Sequence, residues 1–541
     1  MKHTPHRYIW VLTAVCILIF FFNLDAIYVN IMEARNFVTA REMFTSNHWI
    51  LTTLNDLPRY EKPPLPTWLT AFSAEIFGQN TLWAFRLPAA LAATLLTISL
   101  YNFAKCLEIT RKQSFIASLI LTSSFYIIFS GRNGQWDIFT HAFMMVTIYF
   151  LFLFFKNSHQ FYRNAIMAAL FLGFSILSKG PVSLYALFLP FLIAFFIVYK
   201  TNSFKKKWFA LAIFIFLSLA IGSSWFIYVR MADPVAFLDI TTDEASNWGS
   251  YNVRPFYYYW SFFTQSGIWT IPSFVALLYP YLKNKVSNKK AYQFSLLWTL
   301  LSVILLSIIP EKKSRYLLPV LIPMALNTSF YIEYLGSHFS ALKIKEKWVV
   351  YFNFGLIACI GFAFTIAAPF FLNLEGEHYI WYILTSIALC VLGIGILYFL
   401  KQQKITRVFY LTVAFTAAII VFAFPLIDTL LDNPNFKSFA TLQNVANKKN
   451  FKVYEYDSFS PEIVWDYGKP LPLLLYKDSL SIPKDEKFGL LHEITEDFPT
   501  NRFKNYEVKK IDRYDLNQVN PDKSGYKERL IRDFYILKKK N

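Results

Sequence analysis

The sequence predicts an all-α polytopic membrane protein with about thirteen transmembrane helices, followed by a small C-terminal α/β domain. Three observations support this fold class. Of the 541 residues, 55% are hydrophobic and only 16% are charged, whereas soluble proteins have about 25% charged residues. The 57 Phe, 33 Tyr and 14 Trp residues suit lipid-facing helices and the aromatic belts at membrane surfaces. From about residue 432 the long apolar segments end and the composition becomes that of a soluble domain.

Long apolar segments mark the transmembrane helices, because about 20 apolar residues are needed to cross a bilayer. The candidate segments are 8–29, 82–104, 114–131, 137–155, 162–178, 181–199, 208–229, 256–281, 291–309, 316–335, 348–372, 379–400 and 407–430. The first segment is long for a signal peptide and has no small-residue cleavage site. We therefore expect it to be retained as the first span.

Lysine and arginine are concentrated in alternate loops, for example at 205–207, 283–290 and 343–347. By the positive-inside rule these loops face the cytoplasm, as does the N-terminus. An odd number of spans then places the C-terminal domain on the extracytoplasmic side. The sequence thus predicts a transmembrane domain at 1–431 and a C-terminal extracytoplasmic domain at 432–541.

The overall charge and the cysteines exclude two other classes. The net charge of +18 does not indicate nucleic-acid binding, because the basic residues lie in short loops and form no soluble basic face. The four cysteines, at 16, 106, 359 and 390, lie within or at the ends of apolar segments. They have no CxxC spacing, so neither a disulfide nor a zinc site is expected.

The C-terminal domain has the alternation of short apolar runs and polar stretches that is typical of a small α/β fold. The strand-like runs are Val453–Tyr456, Leu473–Tyr476, Phe488–Leu491 and Phe534–Leu537, and Asn435–Lys448 has a helical pattern. No cofactor motif is present, so we interpret this domain as an accessory cap.

The loop at 30–80, after the first span, contains two helical stretches that are too short to cross the membrane. Apolar residues at 33–46 recur near helical spacing, and 66–78 gives a second helix that ends at Gly78. Both patterns are typical of helices that lie in the plane of the membrane interface.

The same loop carries two charged clusters, which are costly next to a span unless they face water or a polar ligand. They are Met32-Glu33-Ala34-Arg35-Asn36 and Tyr60-Glu61-Lys62-Pro63-Pro64-Leu65, and the motifs Phe85-Arg86-Leu87-Pro88, Asp137, Ser178-Lys179-Gly180-Pro181, 255–259 and Arg315-Tyr316-Leu317-Leu318-Pro319 follow. In order and spacing these motifs resemble those of the bacterial aminoarabinose lipid A transferases and their protein O-mannosyltransferase relatives. Those proteins have the membrane-embedded GT-C fold.

The resemblance implies transfer of a sugar from a polyprenyl-phosphate donor to an acceptor on the extracytoplasmic side of a bacterial inner membrane. As the bond between the sugar and the phosphate breaks, negative charge grows on the departing phosphate, so fixed cations stabilise the transition state. The residues that match the family motifs or suit this chemistry are Glu33, Asp137 and Lys62 as catalytic groups and Arg35, Tyr60, Glu61, Lys179, Glu244, Lys312, Lys313, Arg315 and Tyr316 as substrate-binding groups.

The sequence departs from the family at one catalytic position. The family has an acidic pair at the start of the first motif, and Met32 holds the place of its first Asp, while Glu33 is kept. A hydroxyl acceptor needs a general base and a phosphate acceptor does not. Three interpretations stay open: Glu33 takes over, Asp137 suffices, or the acceptor is already an anion.

No cofactor follows from the sequence, although some relatives hold a metal between the Glu before the motif lysine and a His in the long loop. Glu61 matches that Glu, but residues 230–255 contain no His. Asp243 or Glu244 could supply oxygen ligands, yet two carboxylates alone specify no metal. A divalent metal at Glu61 is therefore an open alternative, and zinc is not expected.

A glycosyltransferase of this kind would bind a lipid-linked sugar donor, membrane lipid, and a glycolipid, polysaccharide or protein acceptor. Two other function classes are alternatives to it. A transporter or flippase for lipid-linked saccharides usually has paired repeats and broken helices at mid-membrane. The sequence has no evident repeat, and its charges gather in outer loops. A structural scaffold does not account for that density of charge. The sequence favours the enzyme.

Overall fold

The structure is a computed structural model that describes residues 7–156, 159–199, 207–477 and 479–540. It contains two compact units. The first unit combines the chain up to Ala26 with Tyr60–Leu426, and the second combines Ile27–Arg59 with the chain from Ile427 onward. This division differs from a single boundary at 431/432, because half of the loop at 30–80 belongs to the second unit.

The secondary structure is mainly helical. The α-helices are α1 Arg7–Cys16, α2 Ile31–Thr45, α3 Leu65–Phe77, α4 Leu82–Cys106, α5 Arg111–Thr122, α6 Phe125–Gly131, α7 Trp136–Lys156, α8 Phe161–Lys179, α9 Leu189–Tyr199, α10 Trp208–Ala232, α11 Pro234–Ser250, α12 Thr270–Ala276, α13 Tyr279–Leu282, α14 Lys289–Ile308, α15 Leu318–His338, α16 Ile344–Phe371, α17 His378–Lys401, α18 Ile405–Ala418, α19 Phe439–Lys448 and α20 Pro461–Tyr467. Three π-helices, Ile17–Phe21, Leu184–Phe188 and Ile419–Ala423, adjoin α1, α9 and α18.

The first unit contains the helices that can cross a membrane. Among the described residues, eight helices are long and apolar enough, and the bent pair α5 and α6 makes a ninth if it is one span. The eight are α4, α7, α8, α10, α14, α16, α17 and Ile405–Leu430. The protein is therefore a multi-pass membrane protein, as its composition predicts. The count of about thirteen spans is not confirmed.

Several predicted spans are helical but broken. The clearest is 256–281, which consists of the 3₁₀ helices Phe256–Tyr259 and Phe262–Trp269 followed by α12 and α13. Gly267 interrupts it with a φ of +66°, and a Cβ at that position would lie 2.8 Å from the Cβ of Phe125. Glycine is thus needed there both for the backbone conformation and for the close approach.

Helices α7 and α8 place the first polar groups of the candidate site. Their contact is reinforced by buried hydroxyl groups: Thr140 Oγ1 donates to the Ser175 carbonyl at 2.9 Å, and Ser175 Oγ donates to the Thr140 carbonyl at 2.7 Å. Because the pair is antiparallel, the beginning of α7 lies beside the end of α8. Asp137 and Lys179 occupy those two positions.

The second unit is built on a four-stranded sheet. Its strands are β3 Val453–Glu455, β6 Lys487–Glu493, β7 Tyr506–Asp515 and β8 Ile531–Lys539, and short hairpins are formed by β1 Thr53–Leu54 with β2 Leu57–Pro58 and by β4 Leu475–Tyr476 with β5 Ser479–Leu480. The sheet order is β3-β6-β8-β7, with β3 parallel to β6 and the other pairs antiparallel. The predicted runs in β3, β6 and β8 are confirmed, as is the helix now defined as α19.

Helix α2 lies where the first interfacial helix was predicted, but its apolar face packs inside the second unit. Val38 is part of the hydrophobic core that also contains residues of α19, α20 and β6. The ring of Phe37 lies 5.2 Å from that of Trp465, and Arg41 donates to the Val464 carbonyl at 2.7 Å. These apolar side chains are therefore covered by protein, which differs from the expectation of a helix that lays them on the membrane. Helix α3 lies where the second interfacial helix was predicted, and its Phe72 and Ile76 side chains are exposed.

Candidate active site

A buried ion pair joins the start of α7 to the end of α8. The Lys179 ammonium donates to Asp137 Oδ1 at 2.5 Å, and the two side chains are only 7% and 4% exposed. The second carboxylate oxygen of Asp137 is buried without a hydrogen-bond partner among the described residues. A buried acceptor of this kind is costly unless a ligand or water satisfies it. Its place in the first turn of α7 also lets the helix dipole favour the charged form.

Arg315 and Tyr316 belong to the 3₁₀ helix Ser314–Leu317 that precedes α15. The Lys179 ammonium lies 5.3 Å from the centre of the Tyr316 ring, and the charge of Arg315 acts on both Asp137 and Lys179. Among the described residues Arg315 makes no ion pair, and its buried Nε has no hydrogen-bond partner. Arginine has five donors suited to bidentate phosphate contacts, so this guanidinium is the cation best placed to receive an anionic ligand.

A short loop before Arg315 contains a second ion pair. The Lys313 ammonium contacts Glu311 Oε1 at 2.5 Å, and the Tyr316 hydroxyl donates to the same oxygen at 3.1 Å. Burial, assisted by Glu311, raises the pKa of the Tyr316 hydroxyl, which therefore remains a donor. Lys313 and Tyr316 thus present a cation and a hydroxyl side by side.

The backbone of this loop is held by the start of the broken span and by the residues just before it. Lys312 N donates to the Asn252 carbonyl at 3.1 Å, and Tyr259 exchanges two hydrogen bonds with the backbone of Lys313, at 3.0 and 3.1 Å. The Lys312 ammonium is buried and donates to the carbonyls of Arg254 and Ile309 at 3.0 and 2.5 Å. Burial lowers its pKa. Lys312 was predicted to bind substrate, but the structure engages its ammonium with carbonyls that hold the loop in shape.

The motif Tyr60–Lys62 is tied to helix α11 by two contacts. The Tyr60 hydroxyl donates to Asp233 Oδ2 at 2.9 Å, and burial together with Asp233 raises its pKa. Lys62 Nζ lies 3.1 Å from Glu244 Oε2, with side chains that are 24% and 39% exposed. The Lys62 charge also acts on Lys179. This outer ion pair is therefore accessible to solvent and is electrostatically linked to the buried one.

Glu61, the candidate metal ligand, has an exposed side chain. Within the described ranges there is no group of three or more His, Cys, Asp or Glu side chains that could hold a metal ion. The residues around Glu61 therefore do not fit a metal site, and no chemical step is assigned to one.

Glu33 and Arg35 lie on α2 in the second unit. Asn30 and Glu33 form a capping box: Asn30 Oδ1 accepts from Glu33 N at 3.3 Å, and Glu33 Oε2 accepts from Asn30 N at 3.4 Å. The Glu33 carboxylate thus stabilises the start of a helix, a role separate from the catalytic one predicted for it. Arg35 is half-buried, and its carbonyl accepts from Arg59 Nη1 at 3.4 Å.

Within the first unit the structure brings together Lys62, Asp137, Lys179, Arg315 and Tyr316. Two polar partners in this region, Asp233 and Tyr259, and one deeper group, His141, were not among the predicted site residues, although Tyr259 belongs to the motif at 255–259. The signal for Tyr259 was the run of tyrosines at 257–259. His141 lies one helical turn after Asp137, a spacing at which side chains share a face. It is buried, and its Nδ1 has no partner among the described residues.

The fold and this charged cluster define a class, that of multi-pass membrane proteins with the GT-C fold. The structure superposes on the crystal structure of ArnT from Cupriavidus metallidurans bound to undecaprenyl phosphate with a TM-score of 0.70, covering 98% of each chain at 15% identity. It also superposes on the apo oligosaccharyltransferase of Archaeoglobus fulgidus with a TM-score of 0.50, covering 87% of this chain and 65% of that chain at 10% identity. At these identities the likeness shows the fold.

Sequence comparisons reach the same group of proteins. The family model described as dolichyl-phosphate-mannose-protein mannosyltransferase matches residues 61–226. An undecaprenyl phosphate-alpha-4-amino-4-deoxy-L-arabinose arabinosyl transferase from Photorhabdus laumondii is 26% identical over 411 residues, which is 72% of this chain and 70% of that protein. An uncharacterized protein from Aquifex aeolicus is 25% identical over 326 residues, 58% of this chain and 60% of that protein. The resemblance to aminoarabinose lipid A transferases and protein O-mannosyltransferases is confirmed.

Proposed function

We propose that the protein is an integral-membrane glycosyltransferase that moves a sugar from a polyprenyl-phosphate donor to an extracytoplasmic acceptor. The favoured acceptor is a lipid A-type glycolipid, with a polysaccharide or a protein hydroxyl as the alternatives. The observation that carries the proposal is the cluster around Asp137, in which Arg315 makes no ion pair with any described residue. The similarity to the Photorhabdus arabinosyl transferase supports it.

The donor phosphate is the ligand that this cluster suits best. Arg315 offers a planar set of donors, and Tyr316 offers a hydroxyl that remains protonated. Glu244 and Glu311 hold Lys62 and Lys313 near the ligand by ion pairs. Each lysine can leave its carboxylate partner and contact a phosphate oxygen instead. An Arg and two Lys around one phosphate favour the state in which the phosphate carries most charge, which is the state of bond cleavage.

The transfer is a direct displacement. An acceptor oxygen attacks the anomeric carbon, the bond between that carbon and the phosphate oxygen breaks, and polyprenyl phosphate leaves with the bonding electrons. If the acceptor is a hydroxyl, its proton passes to Asp137 Oδ2, the oxygen that Lys179 leaves unengaged. If the acceptor is a phosphate, no base is required, and Asp137 then serves to keep Lys179 in place. Glu33 remains a candidate for the same acid–base role.

The other residues that were predicted to bind substrate have supporting roles. Tyr60 and Glu61 immediately precede Lys62 in the sequence, and Glu244 contacts Lys62 directly. Lys312 supports the loop of Lys313 by its backbone contacts rather than through its charge. Arg35 stays a prediction for the phosphate or the acceptor.

The membrane arrangement that we propose has thirteen spans, a cytoplasmic N-terminus and an extracytoplasmic C-terminal unit in a bacterial inner membrane. The lysine-rich loops support this orientation by the positive-inside rule. The charged cluster then lies at the extracytoplasmic end of α7 and α8, where a lipid-linked sugar and a water-borne acceptor can meet.

The proposal is tested by mass spectrometry of lipids and glycoconjugates from cells with and without the gene, complemented with wild type or with Lys62→Ala. We expect one sugar modification to disappear on deletion and to return with wild type. Lys62→Ala should lower the transfer rate about 100-fold, because loss of one preorganised donor costs about 3 kcal/mol. Lys345→Ala, which removes an exposed charge outside the cluster, should restore the modification fully.

Two results would contradict the proposal. One is normal transfer by a correctly folded Lys62→Ala variant. The other is accumulation of a lipid-linked sugar on the cytoplasmic face with no change in any acceptor. The second result would identify a flippase.

A further inference from the structure

An open apolar groove of 740 Å³ lies in the first unit between α1, α5 and the segment from α18 to the following π-helix. Its walls include Val11, Val15, Leu119, Val413 and Ala417. Val11 is 43% exposed, so this is a surface groove that lipid can enter from the side. None of its lining residues belongs to the candidate active site.

The three helices begin at the same end of the groove. The Tyr8 ring lies 5.1 Å from Phe115, and Phe115 lies 6.1 Å from Tyr410. These rings stand at the second, fifth and sixth residues of α1, α5 and α18, so the three amino termini are neighbours. Each terminus adds a partial positive charge.

Basic side chains stand at this same end. Arg7 lines the groove. Arg111 is the first residue of α5 and stands four residues before Phe115, which lines the groove, a spacing that puts the two side chains on the same face of the helix. Lys404 immediately precedes α18. All three side chains are exposed. The opposite end, at Leu18, Val421 and Phe422, is apolar.

The length of the groove matches one leaflet of a bilayer. From Tyr8 to Leu18 the chain advances roughly 15 Å at the rise of an α-helix, which is about half of the 30 Å hydrocarbon core. An acyl chain that enters from the cationic end would therefore occupy the groove to its apolar end, with its headgroup at the arginines.

We propose that this groove is a binding site for one anionic phospholipid, whose acyl chain fills the groove and whose phosphate contacts Arg7 and Arg111. The net negative charge of the headgroup distinguishes the ligand from a zwitterionic phospholipid, since the groove end carries three cations and three helix amino termini. The site is separate from the one proposed for the polyprenyl-phosphate donor and does not depend on the proposed function.

The test uses the full-length purified chain, delipidated and titrated with phosphatidylglycerol, phosphatidylcholine or undecaprenyl phosphate, with bound lipid counted by native mass spectrometry. We expect one tightly retained phosphatidylglycerol. The double variant Arg7→Gln/Arg111→Gln should weaken it about 30-fold, as expected for loss of two basic contacts to an anionic lipid. Ala414→Trp, at an exposed wall position, should abolish it by filling the groove. The charge control Lys345→Gln should bind as wild type does.

Each of the following outcomes would contradict the proposal that the groove binds one anionic phospholipid. Equal retention of phosphatidylcholine would show that charge plays no part. Undecaprenyl phosphate that displaces phosphatidylglycerol, with loss of both in Ala414→Trp, would make the groove a carrier-lipid site instead. Retention of phosphatidylglycerol by a folded Ala414→Trp variant would place the lipid elsewhere.

Discussion

At the scale of single residues, three lysines of the candidate site each form an ion pair. Lys62, Lys179 and Lys313 each contact one carboxylate, which keeps their long side chains ordered before any ligand arrives. Breaking the exposed pair of Lys62 costs little, because such pairs contribute about 0–1 kcal/mol. The buried pair of Lys179 is different, since separating it leaves an uncompensated charge. We therefore infer that the ligand exchanges with the outer carboxylates and leaves the pair of Asp137 and Lys179 intact.

Arg315 is the residue whose removal should affect transfer most directly. We expect Arg315→Ala to lower kcat/KM about 100-fold or more, because a preorganised charged donor at the leaving phosphate is lost. Arg315→Lys should recover only part of the rate, since lysine keeps the charge but loses the bidentate geometry. The measurement is transfer by the purified protein with a synthetic polyprenyl-phosphate sugar. Equal rates for Arg315→Lys and wild type would exclude bidentate contact.

Glu244 offers a test that separates two roles. If its main function is to hold Lys62, Glu244→Gln should lower KM for the donor by up to about fivefold, because a pair worth at most about 1 kcal/mol no longer competes with the phosphate. If it binds the sugar, as the sequence predicted, the same variant should raise KM or lower kcat. Initial rates at several donor concentrations distinguish these outcomes. Asp243→Asn, at an exposed position on the same helix outside the Lys62 pair, serves as the control.

The site residues show how far sequence reasoning can reach. Motif order indicated Lys62, Asp137 and Lys179, which the structure places in one charged cluster. The capping role of Glu33 could have been read from the Asn30-x-x-Glu33 spacing, which is a helix-start signature. The burial of Lys312 could not have been predicted from the sequence. A lysine whose ammonium binds backbone carbonyls and a lysine that binds a phosphate have the same sequence pattern.

Among the secondary-structure elements, the hydrophobic pattern predicted correctly those segments that have an apolar face. Strands β6 and β8 were predicted from the consecutive, mainly apolar runs Phe488–Leu491 and Phe534–Leu537, which lie within them. Strand β7 was missed, because its sequence Tyr506–Asp515 is largely polar and lies at the edge of the sheet with half of its residues exposed. Helix α2 was predicted, but its packing on α20 joins residues more than 400 positions apart and leaves no local signal.

The sheet of the second unit contains a carboxylate that should make its stability depend on pH. Glu455 ends β3, is 1% exposed, and accepts from Arg532 Nε at 2.9 Å. Burial, with smaller effects from Glu493 and Asp457, raises the pKa of Glu455 from 4.5 to about 7, although Arg532 acts in the opposite direction. The folded state therefore binds this proton more tightly than the unfolded state does. The stabilisation is complete below pH 4.5 and is lost as the pH rises through about 7.

Hydrogen exchange measures this effect. We expect amides of β3 and β6, corrected for the intrinsic effect of pH on exchange, to be better protected at pH 5 than at pH 8. Glu455→Gln should remove that difference, and Glu507→Gln, at an exposed position on β7, should leave it unchanged. Protection that increases with pH would mean instead that Arg532 keeps Glu455 ionised in the folded state.

For the whole molecule, the parity of the spans decides the side on which the second unit lies. Eight long helices and the bent pair give nine. The shorter apolar helices Arg7–Phe21 and Leu184–Tyr199, α15, and the broken segment at 256–282 would complete thirteen. These four are short, kinked by glycine or proline, or irregular, so length and composition do not count them. Protein contacts can satisfy broken backbone inside a membrane, which is why such segments can still cross.

Cysteine labelling tests this count directly. Ser524→Cys in the second unit and Lys345→Cys in the first turn of α16 both introduce thiols at exposed positions. With thirteen spans, a membrane-impermeant maleimide added to intact spheroplasts should label Ser524→Cys and spare Lys345→Cys until the membrane is opened, with wild type as the baseline for the four native cysteines. One span fewer before Lys345, where all four irregular segments lie, would reverse both results, because Lys345 would then lie outside and Ser524 on the cytoplasmic side. That result would also separate the second unit from the extracytoplasmic acceptor and would remove Glu33 and Arg35, which belong to it, from the list of catalytic candidates.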